Sequence, residues 1–198
     1  MKKLYIIRFT RNNGISSQHI GQNIMVILDK FQHITDLQIN IFYCDITDDK
    51  IQKIAVAIQK CKNLKKLDLN LDLKIFPNQS IGAGALKYFQ DAILNCESIT
   101  YLKLNTNQIS FLLGDYSIIL AIRSLKNLNN LTLFLDNCIN DAAALNIGID
   151  LEKCSNLNTL KILVQFGSLN MMYYEYTQKA KIQLNRSINK ISRLVKKN

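Results

Sequence analysis

One phrase of apolar and polar positions recurs along this chain: two apolar residues three apart, then a third apolar residue two further on. It reads Ile34-Thr-Asp-Leu37-Gln-Ile39, Leu64-Lys-Lys-Leu67-Asp-Leu69, Ile99-Thr-Tyr-Leu102-Lys-Leu104, Leu128-Asn-Asn-Leu131-Thr-Leu133 and Leu157-Asn-Thr-Leu160-Lys-Ile162. Successive copies are spaced 30, 35, 29 and 29 residues apart. The second half of each phrase alternates apolar and polar, the pattern of a strand with one buried face. Leu4-Tyr-Ile6 reads as a sixth, degenerate copy, with Leu4 and Ile6 as its strand apolars.

Between the phrases the period changes to that of a helix. Ile20, Ile24, Ile27 and Phe31 predict a helix over about 16–31, and Ile51, Ile54, Ile58 and Cys61 one over 48–61. Leu86, Phe89, Ile93 and Cys96 place another at 83–96. Ile118, Ile122 and Leu125 mark a less regular one within 108–125, and Leu145, Ile149 and Leu151 or Cys154 one over 141–154. Asp48, Asp115 and Asp141 stand near helix starts, where a carboxylate suits the unpaired N–H groups and the dipole.

A strand, a turn and a helix cannot bury a face alone, so repeated units stack and share a core. The handedness preference of strand–helix–strand connections sets the strands parallel on one side and the helices on the other. The expected fold class is α/β, a right-handed solenoid of about six strand–helix units. Helices are wider than strands, which bends the stack and puts the strands on the concave side and the helices on the convex side. Residues 1–170 form this solenoid, and 171–198 read as a basic amphipathic C-terminal capping helix of the same domain, with Tyr173, Tyr176, Ala180, Leu184, Ile188, Ile191 and Val195 as its apolar stripe. The bare first strand calls either for blunting by Lys2, Lys3, Arg8 and Arg11 or for cover by another subunit.

These phrases resemble the leucine-rich-repeat family, and within it the ribonuclease-inhibitor-like subtype with full helices. The resemblance covers about 1–165. It is carried by the strand phrases, by the helix-start phrases Ile46-Thr-Asp-Asp, Ile81-Gly-Ala-Gly-Ala and Ile139-Asn-Asp-Ala, and by the helix-end phrases Cys61-Lys-Asn-Leu64, Cys96-Glu-Ser-Ile99 and Cys154-Ser-Asn-Leu157. The family's asparagine after the strand is matched by Asn107, with Asn137 one residue out of register. The wording, rich in Asn, Ile and Lys, looks like that of protist repeats. The resemblance implies a horseshoe arc whose concave face holds a protein ligand, a scaffold without catalysis.

Composition narrows the class. With 198 residues, 48% of them hydrophobic, the chain can build a core and is not a disordered tract. No apolar run approaches the roughly 18 residues of a membrane span. The basic, apolar start is interrupted by Arg8 and Arg11, a poor secretory signal, so the expectation is a soluble cytoplasmic protein, with the cilium or cytoskeleton as the alternative. The net charge of +10 sits at the ends: residues 12–170 hold 14 basic and 14 acidic side chains, residues 1–11 contribute +4 and residues 171–198 contribute +6. A basic end of this kind keeps a terminus solvated. It also suits docking on a nucleic acid, an anionic membrane surface or the acidic neighbours of a larger complex.

No catalytic signature is present: no G-x-S-x-G, no H-E-x-x-H and no P-loop. Gly82-Ala-Gly84 lacks the residues of a phosphate loop and reads as a helix-start turn. Five cysteines (Cys44, Cys61, Cys96, Cys138 and Cys154) form no C-x-x-C pair, and two histidines, His19 and His33, are too scattered for zinc. Cys61, Cys96 and Cys154 share one repeat position with Phe31 and Leu125, so they are expected to be apolar fillers with reduced thiols. No metal, cofactor or enzyme activity is expected. The insertion Lys74–Ser80 reads as a rim loop.

The alternation then predicts the ligand wall. The residues between the strand leucines face outward: Asp36, Gln38 and Asn40; Lys66, Asp68 and Asn70; Tyr101, Lys103 and Asn105; Asn130, Thr132 and Phe134; Thr159, Lys161 and Leu163. The first strands offer a polar wall of mixed charge. The later ones offer Tyr101, Phe134 and Leu163, either as contacts for a protein partner or as a seat for the C-terminal segment. Two functions compete at this point: a protein-binding module that uses the concave face, and a structural subunit of a cytoskeletal, ciliary or ribonucleoprotein assembly docked through its basic ends.

Overall fold

The computed structural model describes residues 4–10, 20–42, 47–72, 84–105, 117–136, 141–154 and 156–165, with the single residues Arg186 and Asn189. Strands and helices alternate along the chain. They are β1 (Leu4–Thr10), α1 (Ile20–Lys30), β2 (Asp36–Phe42), α2 (Asp48–Gln59), β3 (Lys66–Asp72), α3 (Gly84–Leu94), β4 (Tyr101–Asn105), α4 (Ser117–Ser124), β5 (Asn130–Asp136), α5 (Asp141–Leu151) and β6 (Thr159–Gln165). The strands form one open sheet of six in the order β1-β2-β3-β4-β5-β6, and every neighbouring pair is parallel. Each unit thus touches the unit before it and the unit after it, strand on strand and helix on helix.

The register sets like residue on like residue. Leu37, Leu67, Leu102, Leu131 and Leu160 form one row across the sheet, and Ile39, Leu69, Leu104, Leu133 and Ile162 the next. These rows are buried with the apolar stripes of the helices in one continuous cluster, and only at β6, the sheet edge, do Leu160 and Ile162 become half-buried. Fully burying one such side chain contributes about 1.5–3 kcal/mol. The helices return to the sheet by the same turn each time. Phe31, Cys61, Cys96, Leu125 and Cys154 each donate their N–H to the carbonyl three residues back, and their own carbonyls accept from Ile34, Leu64, Ile99, Leu128 and Leu157. The Thr35 carbonyl then accepts from Lys65 and Lys66, that of Lys65 from Thr100 and Tyr101, that of Thr100 from Asn129 and Asn130, and that of Asn129 from Asn158 and Thr159. This ladder extends the sheet beyond the strand starts.

Three sequence expectations are corrected. In β1 the pairing places Tyr5 beside Leu37 and Ile7 beside Ile39. Ile7 is therefore buried, while Ile6 is 55% exposed on the opposite face. The sixth copy is Tyr5-Ile-Ile7 and not Leu4-Tyr-Ile6: a slip of one residue exchanges faces, and Tyr5 is held by its ring contact with Phe31 at 4.5 Å. In α5 the core side is Ile147 and Leu151, and Ile149 is exposed. In α1 Leu28 is fully buried where Ile27 is only partly so. Both helices keep the phase of α2 and α3, whose core residues lie three and seven positions before the helix-end residue: Ile58 and Ile54 before Cys61, Ile93 and Phe89 before Cys96. Leu145 and Leu86 carry no described side chain, and the insertion 74–80, Asn107, Asn137, Asp115, Gly82, the capping stripe and the basic ends lie outside the described residues.

Candidate functional site: the open face of the sheet

The alternation that buries the leucines turns their neighbours to the other face, where none of the described helices α1 to α5 packs. Three rows run across it. The first is Asp36, Lys66, Tyr101, Asn130 and Thr159; the second Gln38, Asp68, Lys103, Thr132 and Lys161; the third Asn40, Asn70, Asn105, Phe134 and Leu163. All twelve candidate contact residues of the sequence are in these rows. Lys66, Thr159, Lys161 and Leu163 are exposed, Asn40 is buried, and the others are half-buried. Ile6 of β1 joins the second row beside Gln38.

Asp68 is the centre of the polar half. Its Oδ2 accepts from Lys103 Nζ at 3.0 Å and from Gln38 Nε2 at 3.4 Å, so β2, β3 and β4 are linked across the face. Lys66 Nζ lies 3.7 Å from Asp36 Oδ1, and Thr35 Oγ1 donates to Asp36 Oδ2 at 2.7 Å. Lys103 serves a second neighbour, since its ammonium stands 5.8 Å from the centre of the Phe134 ring, within range of a cation–π contact. One lysine therefore joins the polar half to the apolar one. Asp68 Oδ1 and Asn70 Oδ1 are closed off from solvent without a hydrogen-bond partner.

The third row holds a feature that reading the copies one by one does not reveal. Asn40, Asn70 and Asn105 sit in register on three adjacent strands. The signal is in the phrase itself, because the first three copies all continue with Asn after the last strand apolar: Ile39-Asn40, Leu69-Asn70, Leu104-Asn105. The fourth and fifth copies have Phe134 and Leu163 there.

The described thiols are not part of the open face. Cys61 and Cys96 are fully buried behind the sheet. Cys61 Sγ donates to the Ala57 carbonyl and Cys96 Sγ to that of Ile58. Burial, with the Asp29 charge as a smaller contribution, pushes the Cys61 thiol up to about 11. Burial, then the neighbouring Cys61, raises Cys96 to about 12. Burial and Asp150 raise Cys154 to about 11. Thiols so raised stay protonated at neutral pH and are weak nucleophiles and metal ligands. Cys44 and Cys138 lie outside the described residues. Among the described residues no group of three or more His, Cys, Asp or Glu side chains could hold a metal ion, and no helix is long and apolar enough to cross a membrane. A scan against protein-family models and a search of curated proteins find no match to this chain.

Proposed function

We propose that the chain is a non-enzymatic protein-interaction module of the leucine-rich-repeat type, its sheet bent into an arc with the open face concave. A folded protein ligand lies across that face. The observation that carries this reading is the division of labour in the strands. One set of side chains makes the core, and the alternate set, from Asp36 to Leu163, is left in three ordered rows with little part in holding the fold. A rigid wall of this kind costs little conformational entropy to bind. Tyr101, Phe134 and Leu163 supply apolar anchors, and Asp36, Lys66, Asp68 and Lys103 supply charge that orients the ligand.

The test is capture of a partner from the native cell by the full chain and by its Tyr101→Ala/Phe134→Ala variant, identified by mass spectrometry and then measured with the purified partner. The expected result is loss of at least about tenfold in affinity with nearly unchanged melting temperature. Unchanged affinity with a large fall in melting temperature would make these residues core and overturn the reading.

A further inference from the structure

Parallel strands send every helix-to-strand turn to one rim and every strand-to-helix connection to the other, and the described residues of the two rims differ in charge. The described turns of the first kind hold Lys60, Lys62, Lys65, Lys126 and Lys153 against Glu97 and Glu152. The opposite rim has Asp72 and Asp136 at strand ends and Asp48, Asp49 and Asp141 at helix starts, against Lys50 and Lys87. On the basic rim, below β3 to β6, lies an open groove of about 620 Å³. Its cations are Lys65 and Lys126, and its hydroxyls are those of Ser98 and Thr100. Asn127, Asn129, Asn156 and Asn158 add four amides, and among the described residues no carboxylate lines the groove.

We infer that this groove is a second binding surface, distinct from the open face, and that it takes an extended acidic peptide segment of a protein partner. Four observations choose that occupant. Lys53, Lys60, Lys66, Lys103 and Lys153 all meet a carboxylate of the chain, whereas Lys65 and Lys126, both exposed, form no ion pair among the described residues. A carboxylate brought by the partner supplies what they lack. The rest of the lining is amide and hydroxyl, groups that both donate and accept and so match the alternating N–H and C=O of an extended backbone. Asn129 Oδ1 is buried without a hydrogen-bond partner. That side chain gains by turning to a donor, which a peptide N–H is and a phosphodiester is not. Among the described residues no aromatic ring lines the groove, so they offer no platform on which single-stranded nucleic acid stacks. The walls are firm: Asn127 Nδ2 donates to the Glu97 carbonyl at 3.2 Å and Asn156 Nδ2 to that of Lys126, tying each turn to the one before.

The test is fluorescence anisotropy with the full chain and a fluorescein-labelled peptide of alternating glutamate and serine, with oligouridylate of equal charge as the second probe. The peptide is expected to bind, and Lys65→Gln/Lys126→Gln to weaken it about tenfold or more with the melting temperature unchanged. Asn129→Ala weakens it less, and Lys53→Gln, away from the rim, has no effect. Peptide binding by the double lysine variant as tight as by the native chain would overturn the inference, as would oligouridylate binding at least as tightly as the peptide. Lys65→Arg/Lys126→Arg, which keeps the charge, restores binding if the site is as described. Phe134→Ala leaves it intact, so failure here and failure of the open-face reading are separate results.

Discussion

The two halves of the open face are built on the same backbone register and have opposite character. Across β2, β3 and β4 the side chains answer one another: Gln38 and Lys103 converge on Asp68, Lys66 faces Asp36, and three asparagines stand in a row. Across β5 and β6 the corresponding positions are Thr132, Phe134, Lys161 and Leu163, and the Phe134 ring stands beneath the ammonium of Lys103. Gln38, Lys66 and Lys103 already have partners on the face and gain less from a ligand, whereas an apolar ring on a rigid surface gains by being covered. On the proposed function, the apolar anchors Phe134 and Leu163 lie on β5 and β6, with Tyr101 beside them on β4, and the charges that orient the ligand lie on β2 to β4. The difference is affordable because neither half holds the fold; the leucine rows do.

The largest expected effect separates those roles within one strand. Leu131→Ala, at a fully buried position, should cost about 2–5 kcal/mol of stability in urea. Phe134→Ala, three residues on, should cost at most about 1 kcal/mol. Equal losses would place Phe134 in the core and erase the contrast.

Next comes alkaline pH, which probes what lies beneath the two halves. In the unfolded chain a thiol ionises near its ordinary value of about 9, while in the folded chain Cys61 and Cys154 hold their protons to about 11 and Cys96 to about 12. The unfolded state thus loses protons first, so stability is intact below pH 9 and falls as pH rises from there toward 11 or 12. Melts at stepped pH should show the fall, and it should shrink in Cys96→Ala measured against its own neutral-pH value. A disulfide-exchange reagent at pH 8 should reach half-buried Cys154, under the β6 side, sooner than Cys61 or Cys96; equal rates would contradict the burial.

The smallest effect sharpens the polar half. Asp68→Ala leaves Lys103 and Gln38 without their shared acceptor and should cost about 1 kcal/mol. A double-mutant cycle with Lys103→Met should return a coupling of about 0.5–1 kcal/mol, because the pair is partly screened by water. A coupling of zero would make the network a set of unrelated surface residues.

Much of this was legible in the sequence because one phrase, repeated, states both strand position and strand face. The copies beginning at Ile34, Leu64, Ile99, Leu128 and Leu157 located β2 to β6, and alternation named the residues on the open face. The failures have one cause. Apolar residues one or two positions apart, as in Tyr5-Ile6-Ile7 and in Ile147, Ile149 and Leu151, fit more than one face, and only a neighbour decides between them. Phe31 against Tyr5 decides the first, and the helix-end Cys154 the second. The ties across strands, such as Lys103 to both Asp68 and Phe134, join residues about 30 positions apart and need the register before they can be seen. The groove on the basic rim is assembled from turns of four units, none of which carries a motif alone.

The repeated turn, in which each strand-entry carbonyl receives two N–H groups from the unit that follows, has a consequence for how such a chain changes over time. The four junctions from β2 to β6 are made by the same backbone groups, so a unit gained or lost among them leaves the next join chemically the same. Length is then a free variable, and a lineage can lengthen its wall by duplication while editing the exposed letters of each copy one at a time.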